Sequence, residues 1–223
     1  MLKSSKNIIR LLEQQLTRTL KCEILPEGTY LAGGTAVYFY LQHRISVDLD
    51  FFTRDEFNSE VFLHTIKGCF DEVAVELLRK DTVIIYIGPE KLKVSLFHLP
   101  YRLLSPEHEM GIREGVVCPL ASLDDITAMK AVAINQRGSI KDFVDLFFIL
   151  RKTKLDFNKV IDLVIDKYAL NQAYDYQLKT SFAYFDDAER EIHQIIMLKD
   201  DEAKKLTPNE WEDIKAFYLD FVK

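Results

Sequence analysis

The stretch Tyr30–Thr53, YLAGGTAVYFYLQHRISVDLDFFT, constrains the fold more than any other part of the chain, because its hydrophobic pattern changes period twice. Apolar Tyr30-Leu31-Ala32 runs into Gly33-Gly34, and an apolar block long enough for two helical turns follows. A mostly polar connector, Gln42–Ser46, then leads to Val47–Phe52, where acidic and apolar residues alternate. Side chains repeat every 3.6 residues in a helix and every two in a strand. The segment therefore predicts a short strand, a Gly-Gly turn, a two-turn helix, a connector and a second strand.

Around this stretch the pattern is simpler. Residues 7 to 20 carry Ile8, Leu11, Leu12, Leu16 and Leu20 at helical spacing, and Leu25-Pro26-Glu27-Gly28 breaks the run. Residues 58 to 69 read as a helix with Val61, Phe62 and Ile66 inward. Three β-rich runs follow, Val73–Leu78, Thr82–Ile87 and Leu92–Leu99, with a turn at Gly88-Pro89-Glu90. From Ser122 onward only helices are predicted. Ser122–Asp125 and Ser139–Asp142 resemble capping boxes with Asp in place of Glu or Gln, and Gly138 stands at a helix end. Asp156 opens a helix through Tyr168, and Thr207-Pro208-Asn209-Glu210 opens the last one. The chain thus divides into an α/β part, residues 1–120, and a helical part, residues 121–223.

Composition narrows the class. With 48% hydrophobic and 29% charged residues, the chain is neither disordered nor collagen-like, and its 223 residues can bury a large core without staples. Acidic residues outnumber basic ones by 35 to 29, which excludes a nucleic-acid binder recognised by bulk charge. Cys22, Cys69 and Cys118 are an odd, sparse set without metal-ligand spacing, which points to a reducing compartment. Met1-Leu-Lys-Ser-Ser-Lys6 offers no apolar stretch for a signal peptide, and no run reaches the ~18 apolar residues of a membrane span. A cytoplasmic protein without membrane contact is expected. The five histidines show no ligand spacing with the cysteines, and the run Tyr174, Tyr176, Phe182, Tyr184 and Phe185 reads as core or partner packing.

Asp48 and Asp50 share one face of the predicted strand, with Cα atoms roughly 6.5–7 Å apart from the strand rise. Two such carboxylates can converge on a hard cation, and magnesium favours few carboxylates together with substrate phosphates. The plain alternative is a solvated strand end. Gly33-Gly34-Thr35, between strand and helix, lets backbone N–H groups approach a phosphate at a helix N-terminus; the plain alternative is a tight turn with Thr35 as helix cap. Arg44 and Ser46 add a guanidinium and a hydroxyl close to the acidic pair.

In Leu123–Leu150, Lys130 and Arg137 interrupt the apolar stripe formed by Leu123, Ile126 and Ala133, and both should be partly buried. Asp142 and Asp145 lie three apart on a helix that is apolar almost all round. A carboxylate there needs a partner. One reading is structural, with Asp142 capping at Ser139 and Asp145 pairing with Arg137 or Lys130. The other places Lys130 at nucleotide phosphates, oriented by Asp142 or Asp145.

The string LAGGTAVYFYLQHRISVDLDFF resembles the first motif of the AbiEii/AbiGii-type toxins, members of the nucleotidyltransferase superfamily that includes DNA polymerase β-like enzymes. Gly33, Gly34, Thr35, Arg44, Ser46, Asp48 and Asp50 match that motif, and Lys130, Arg137, Lys141, Asp142, Asp145 and Leu146 match a second one in order. The resemblance implies an α+β fold, a nucleotidyltransferase-like mixed sheet with flanking helices followed by a helical half that completes the active-site cleft. It implies transfer of a nucleoside monophosphate from an NTP to an acceptor, commonly tRNA or other RNA, with a cognate antitoxin. Mg2+ would be held by Asp48 and Asp50, phosphates by Gly33, Gly34, Thr35, Arg44, Ser46 and Lys130, with Asp142 and Asp145 supporting the lysine or the acceptor. One departure stands out. At the strand position where this superfamily often has a third carboxylate, this chain has Ser95. That leaves open a catalytically degenerate, nucleotide-binding or partner-binding protein.

Overall fold

A computed structural model describes residues 5–200 and 202–223. Part of the expectation for the first residues, where no leader was predicted, lies outside the described residues. The chain opens with α1 (Ser5–Lys21), β1 (Tyr30–Ala32), α2 (Gly33–Leu41), β2 (Leu49–Thr53) and α3 (Ser59–Cys69). Strands β3 (Val73–Arg79), β4 (Thr82–Ile87), β5 (Leu92–His98), β6 (His108–Gly111) and β7 (Val117–Leu120) follow. Then come α4 (Leu123–Arg137), α5 (Ile140–Thr153), α6 (Phe157–Tyr168), α7 (Tyr174–Phe182), α8 (Asp186–Glu189), β8 (Ile196–Lys199), β9 (Glu202–Lys205) and α9 (Pro208–Phe221). No helix among the described residues is long and apolar enough to cross a membrane.

Two compact units result. The first holds the chain to Ala36, Ser46–Arg102 and Glu107–Ala121; the second holds Val37–Ile45, Leu103–Pro106 and Ser122–Lys223. The first unit contains one mixed sheet in the order β3-β4-β5-β2-β1-β7-β6. β2 is central, antiparallel to β1 and parallel to β5. Its register with β5 pairs Leu49 with Val94, Asp50 with Ser95, Phe51 with Leu96 and Phe52 with Phe97. Leu49, Phe51, Val94 and Leu96 are buried together with Val83 and Ile85 of β4, so one face of the sheet is the core of this unit. Asp50, Phe52, Ser95 and Phe97 stand on the other face, as the 5.5 Å contact between the Phe52 and Phe97 rings shows. β6 and β7 were not legible in the sequence because they are four-residue strands without apolar alternation, one of them carrying Pro119.

In α3, Phe62 and Ile66 are buried as predicted, but Val61 is exposed; it lies one residue off the buried stripe. Cys22 and Cys69 form a disulfide across 47 residues, with Cα atoms 6.2 Å apart, which departs from the expectation of reduced thiols. Sequence distance hid this pairing: Cys22 directly follows α1, Cys69 ends α3, and the two helices pack together, with Arg18 of α1 over the Phe70 ring. Cys118 is a free buried thiol.

The second unit is helical apart from the hairpin β8–β9, which the sequence reading missed because its strands are short and β9 is lysine-rich and exposed. Helix ends follow the sequence signals. Ser122 accepts from Asp125 N, Gly138 closes α4 in the left-handed region at φ 56°, and Thr207 and Glu210 form a full capping box. Ser139 departs from expectation: it makes no cap bond to α5, its hydroxyl binding Glu191 instead. Phe143 sits at the centre of the core, edge-on to Trp211 and Tyr218, and the Tyr218 hydroxyl donates to Phe143 O at 2.8 Å. Of the aromatic run at 174–185, Phe182 and Phe185 join this core while Tyr176 and Tyr184 are exposed.

Candidate active site

The residues singled out in the sequence fall into two clusters, one in each unit. The first is built on the strand–turn–helix–strand segment. β1 delivers the chain into Gly33, whose φ of +69° is a left-handed conformation that glycine adopts without strain. Gly33 also faces Asp50: a Cβ there would stand 2.7 Å from Asp50 Oδ2. The carboxylate is therefore packed directly against the turn that starts α2. This close approach requires glycine twice over, by backbone angle and by space.

Thr35 has a role that its helix-cap reading did not foresee. Its buried hydroxyl donates to the backbone O of Asp48 at 2.5 Å and lies 3.1 Å from Ser46 Oγ. The first turn of α2 is thus tied to the residue preceding β2. Asp48 and Asp50 are both half-buried. Asp50 belongs to the sheet face of Ser95, whereas Asp48, expected within the strand, lies one residue before β2. Its charge is the last of the causes that raise the phenol of Tyr86, the register partner of Lys93, after the hydrogen bond that the phenol donates to Glu76, burial and the Glu76 charge. The donors are all oxygens, two of them charged, and Gly33 clears the space beside Asp50. This set fits a hard divalent cation, and Asp48 and Asp50 are the residues that would hold it.

The second cluster lies within the helical unit and is buried. Asp145 of α5 is completely enclosed. Arg44 grips it with two bonds, Nε at 2.6 Å and Nη2 at 2.8 Å, while Lys130 Nζ lies 2.6 Å and His43 Nε2 2.7 Å away. Lys130 also bonds Asp142 at 2.9 Å, and Arg137 holds Asp142 at 2.7 Å. The structural reading of the sequence gives Asp145 to Arg137 or Lys130, and the functional one has Asp142 or Asp145 orient Lys130. Lys130 does hold Asp145, but Arg137 takes Asp142, and the principal partner is Arg44, a residue expected at the triphosphate. The expected cap of Asp142 on Ser139 is replaced by a backbone contact, Asp142 N to Ser139 O at 2.9 Å.

Charges in this cluster are set by pairing rather than by solvent. Burial pushes Asp145 toward the neutral form, but Arg44, Lys130 and His43 outweigh it and hold the carboxyl well below its ordinary value. For Asp142 burial is likewise overcome, by Lys130 and Arg137, and its carboxyl is lowered. Burial would lower Lys130, yet Asp142 and Asp145 keep its ammonium above the usual value. His43 goes the other way: burial outweighs Asp145 and lowers it. With Asp145 ionised, a neutral His43 must donate from Nε2, so Nδ1 is left as a buried acceptor without a hydrogen-bond partner. His43 and the fully buried pair Asp125–Lys167, 2.7 Å apart, carried no sequence signal beyond a lone histidine and scattered charges. The connector carrying His43 and Arg44 is further fixed to β8, by Leu198 N to His43 O and Ile45 N to Ile196 O.

Comparison with known proteins adds the following. The family model for "Nucleotidyl transferase AbiEii toxin, Type IV TA system" matches residues 14–103 and 95–223. An uncharacterized protein of Aquifex aeolicus (strain VF5) is 38% identical over 200 residues, covering 87% of this chain and 86% of its own length. Among solved structures, MenT4, a nucleotidyltransferase toxin of Mycobacterium tuberculosis H37Rv, superposes over 99% of this chain and 85% of its own, with a TM-score of 0.59 and 14% identity. At that identity the likeness is one of fold.

Proposed function

The chain belongs to the AbiEii nucleotidyl transferase toxin family, and from that premise we propose that it transfers a nucleoside monophosphate from an NTP to a hydroxyl-bearing acceptor. The observation that carries this reading is the Asp48–Asp50 pair packed on the Gly33–Thr35 turn. A bound Mg2+ would supply charge neutralisation on the phosphates and polarise the reacting phosphorus. The chain's own groups do the rest. Backbone N–H groups at the start of α2 face anionic phosphate oxygens. Asp48 and Asp50 fix the position of the cation, and Thr35 fixes Asp48 through its backbone. The acceptor oxygen forms a bond to the α-phosphorus and gives up its proton to water, the bond from that phosphorus to the β-phosphate bridging oxygen breaks, and pyrophosphate leaves with that electron pair.

Lys130, Asp142 and Asp145 act as positioning residues in this reading. Their carboxylates and ammonium hold Arg44 and His43, and thereby the connector that continues into Ser46 and Asp48. RNA, tRNA in particular, is the acceptor class that the family resemblance suggests, a cognate antitoxin is the expected partner, and the cytoplasm is the expected location. Incubation with α-labelled NTPs, magnesium and total RNA tests the reading. Label should enter an acceptor with the native chain and not with Asp48→Asn, whose melting temperature should stay near that of the native chain because the carboxylate is only half-buried. Nucleotide binding without any label transfer would favour the degenerate nucleotide binder instead.

A further inference from the structure

Ser95 lies directly across from Asp50 in the parallel pairing of β5 with β2. Both side chains stand on the site face of the sheet, where the next registered pair, Phe52 and Phe97, touch rings. Ser95 is 1% exposed, and its Oγ has no hydrogen-bond partner. A buried hydroxyl left without a partner is destabilising, because it has given up water and gained nothing in return. Val94 and Leu96 beside Ser95 in β5 belong to the core face, while Ser95 shares its face with Lys93 and Phe97. Its nearest registered neighbours are Asp50 on one side and Ile84 of β4 on the other. Ile84 offers the hydroxyl nothing, which leaves the cation site at Asp50 as the group it can serve.

The charge at this face is also limited. Among the described residues there is no cluster of three or more His, Cys, Asp or Glu side chains able to hold a metal ion. Two carboxylates with substrate phosphates suffice for one magnesium. A pair of cations roughly 3.5–4 Å apart repel one another and need further anionic ligands between or beside them. A serine at the register position of Asp50 supplies an oxygen and no charge.

We propose that Ser95 makes Asp48–Asp50 a one-cation site: its hydroxyl serves as a positioning group that holds a water of the cation's shell, at the place where an acidic side chain would recruit a second cation. This rests on the metal reading of Asp48 and Asp50 and deepens it. It implies that the acceptor hydroxyl is oriented by protein and substrate groups rather than by a second metal.

Mn2+ titrated into the full chain with a non-hydrolysable NTP analogue, read by electron paramagnetic resonance, tests it. The native chain should bind one Mn2+, Ser95→Ala should bind one about tenfold more weakly, as loss of an outer contact to a metal shell does, and Ser95→Asp should bind two. Ser95→Asn, which has the shape of Asp without its charge, should bind one. Two Mn2+ in the native chain, or native affinity in Ser95→Ala, would overturn the proposal while leaving the metal reading intact. One Mn2+ in a folded Ser95→Asp would also overturn it. If thermal melts show that Ser95→Asp does not fold, the Ser95→Ala affinity decides. No Mn2+ in the native chain would instead sink the metal assignment of Asp48 and Asp50 and the one-cation proposal with it.

Discussion

Replacing Asp145 by Asn is expected to be among the most damaging single changes in the helical unit. The side chain is completely buried and receives Arg44 through two bonds, Lys130 and His43, all between 2.6 and 2.8 Å. Asparagine keeps the volume, loses the charge and turns an NH2 group toward donors that need an acceptor. Arg44 and Lys130, with side chains 5% and 8% exposed, would then be short of counter-charge. Breaking a buried pair by removing one partner costs about 3–5 kcal/mol. A chain of this size shifts by roughly 2–4 °C per kcal/mol, so the melting temperature should fall by about 6–20 °C. Calorimetric melts at neutral pH measure this, with Asp220→Asn as control, since Asp220 is in an exposed pair with Lys223 and its loss should stay within about 0.5 kcal/mol. Lys130→Met should lose stability in the same direction, because its ammonium bridges Asp142 and Asp145 instead of reaching out of the core. If Asp145→Asn melted within about 1 °C of the native chain, the cluster would contribute no net stability and the argument from buried pairing would be wrong.

Gly33→Ala should lower the melting temperature, since φ is +69° there, and weaken Mn2+ binding in the folded chain, because the new Cβ meets Asp50 Oδ2 at 2.7 Å and must displace it; a titration at native affinity would refute the close-packing argument. Thr35→Val, which leaves the Asp48 carbonyl without its donor, should lose about 1 kcal/mol and slow label transfer, while Thr35→Ser restores both; equal rates for Val and Ser would remove the role given to the hydroxyl. Stability should fall on acidification in two stages. His43 is lowered in the folded state, so below its ordinary value of 6.5 the unfolded chain takes up a proton that the folded chain refuses, and stability begins to drop there. Asp142 and Asp145 are held below 3.8 when folded, so their contribution is present above that value and is lost as the pH falls through their folded values. Urea unfolding between pH 7 and 3 follows this; in His43→Gln the first stage should vanish, and its persistence would assign it to another group.

The strand–turn–helix–strand segment was legible in the sequence because every signal in it is local. The Gly-Gly turn, the change of hydrophobic period and the Asp-x-Asp alternation each depend on neighbours within a few residues, and they mark Gly33, Thr35 and Asp50 without knowledge of anything else, while Asp48 lies one residue before the strand. Helix caps at Ser122, Gly138, Asp156 and Thr207 are local in the same sense. The short strands β6 to β9 were not legible, since a four-residue strand is defined by what it pairs with.

Partners were hidden for the same reason. The pattern of an apolar α5 demanded a counter-charge for Asp145, yet nothing in it could name Arg44, which is 101 residues away, over Arg137, which is near in sequence. Cys22 and Cys69 looked separate until two packed helices brought them within bonding reach. Ser95 could be seen as a missing carboxylate, but its alignment with Asp50 and the empty hydrogen-bonding capacity of its hydroxyl exist only once β5 lies beside β2. Residue type and local period determine which groups must find a partner; the tertiary structure decides which partner, because pairing energies depend on distance in space and burial removes the water that would otherwise meet every charge equally.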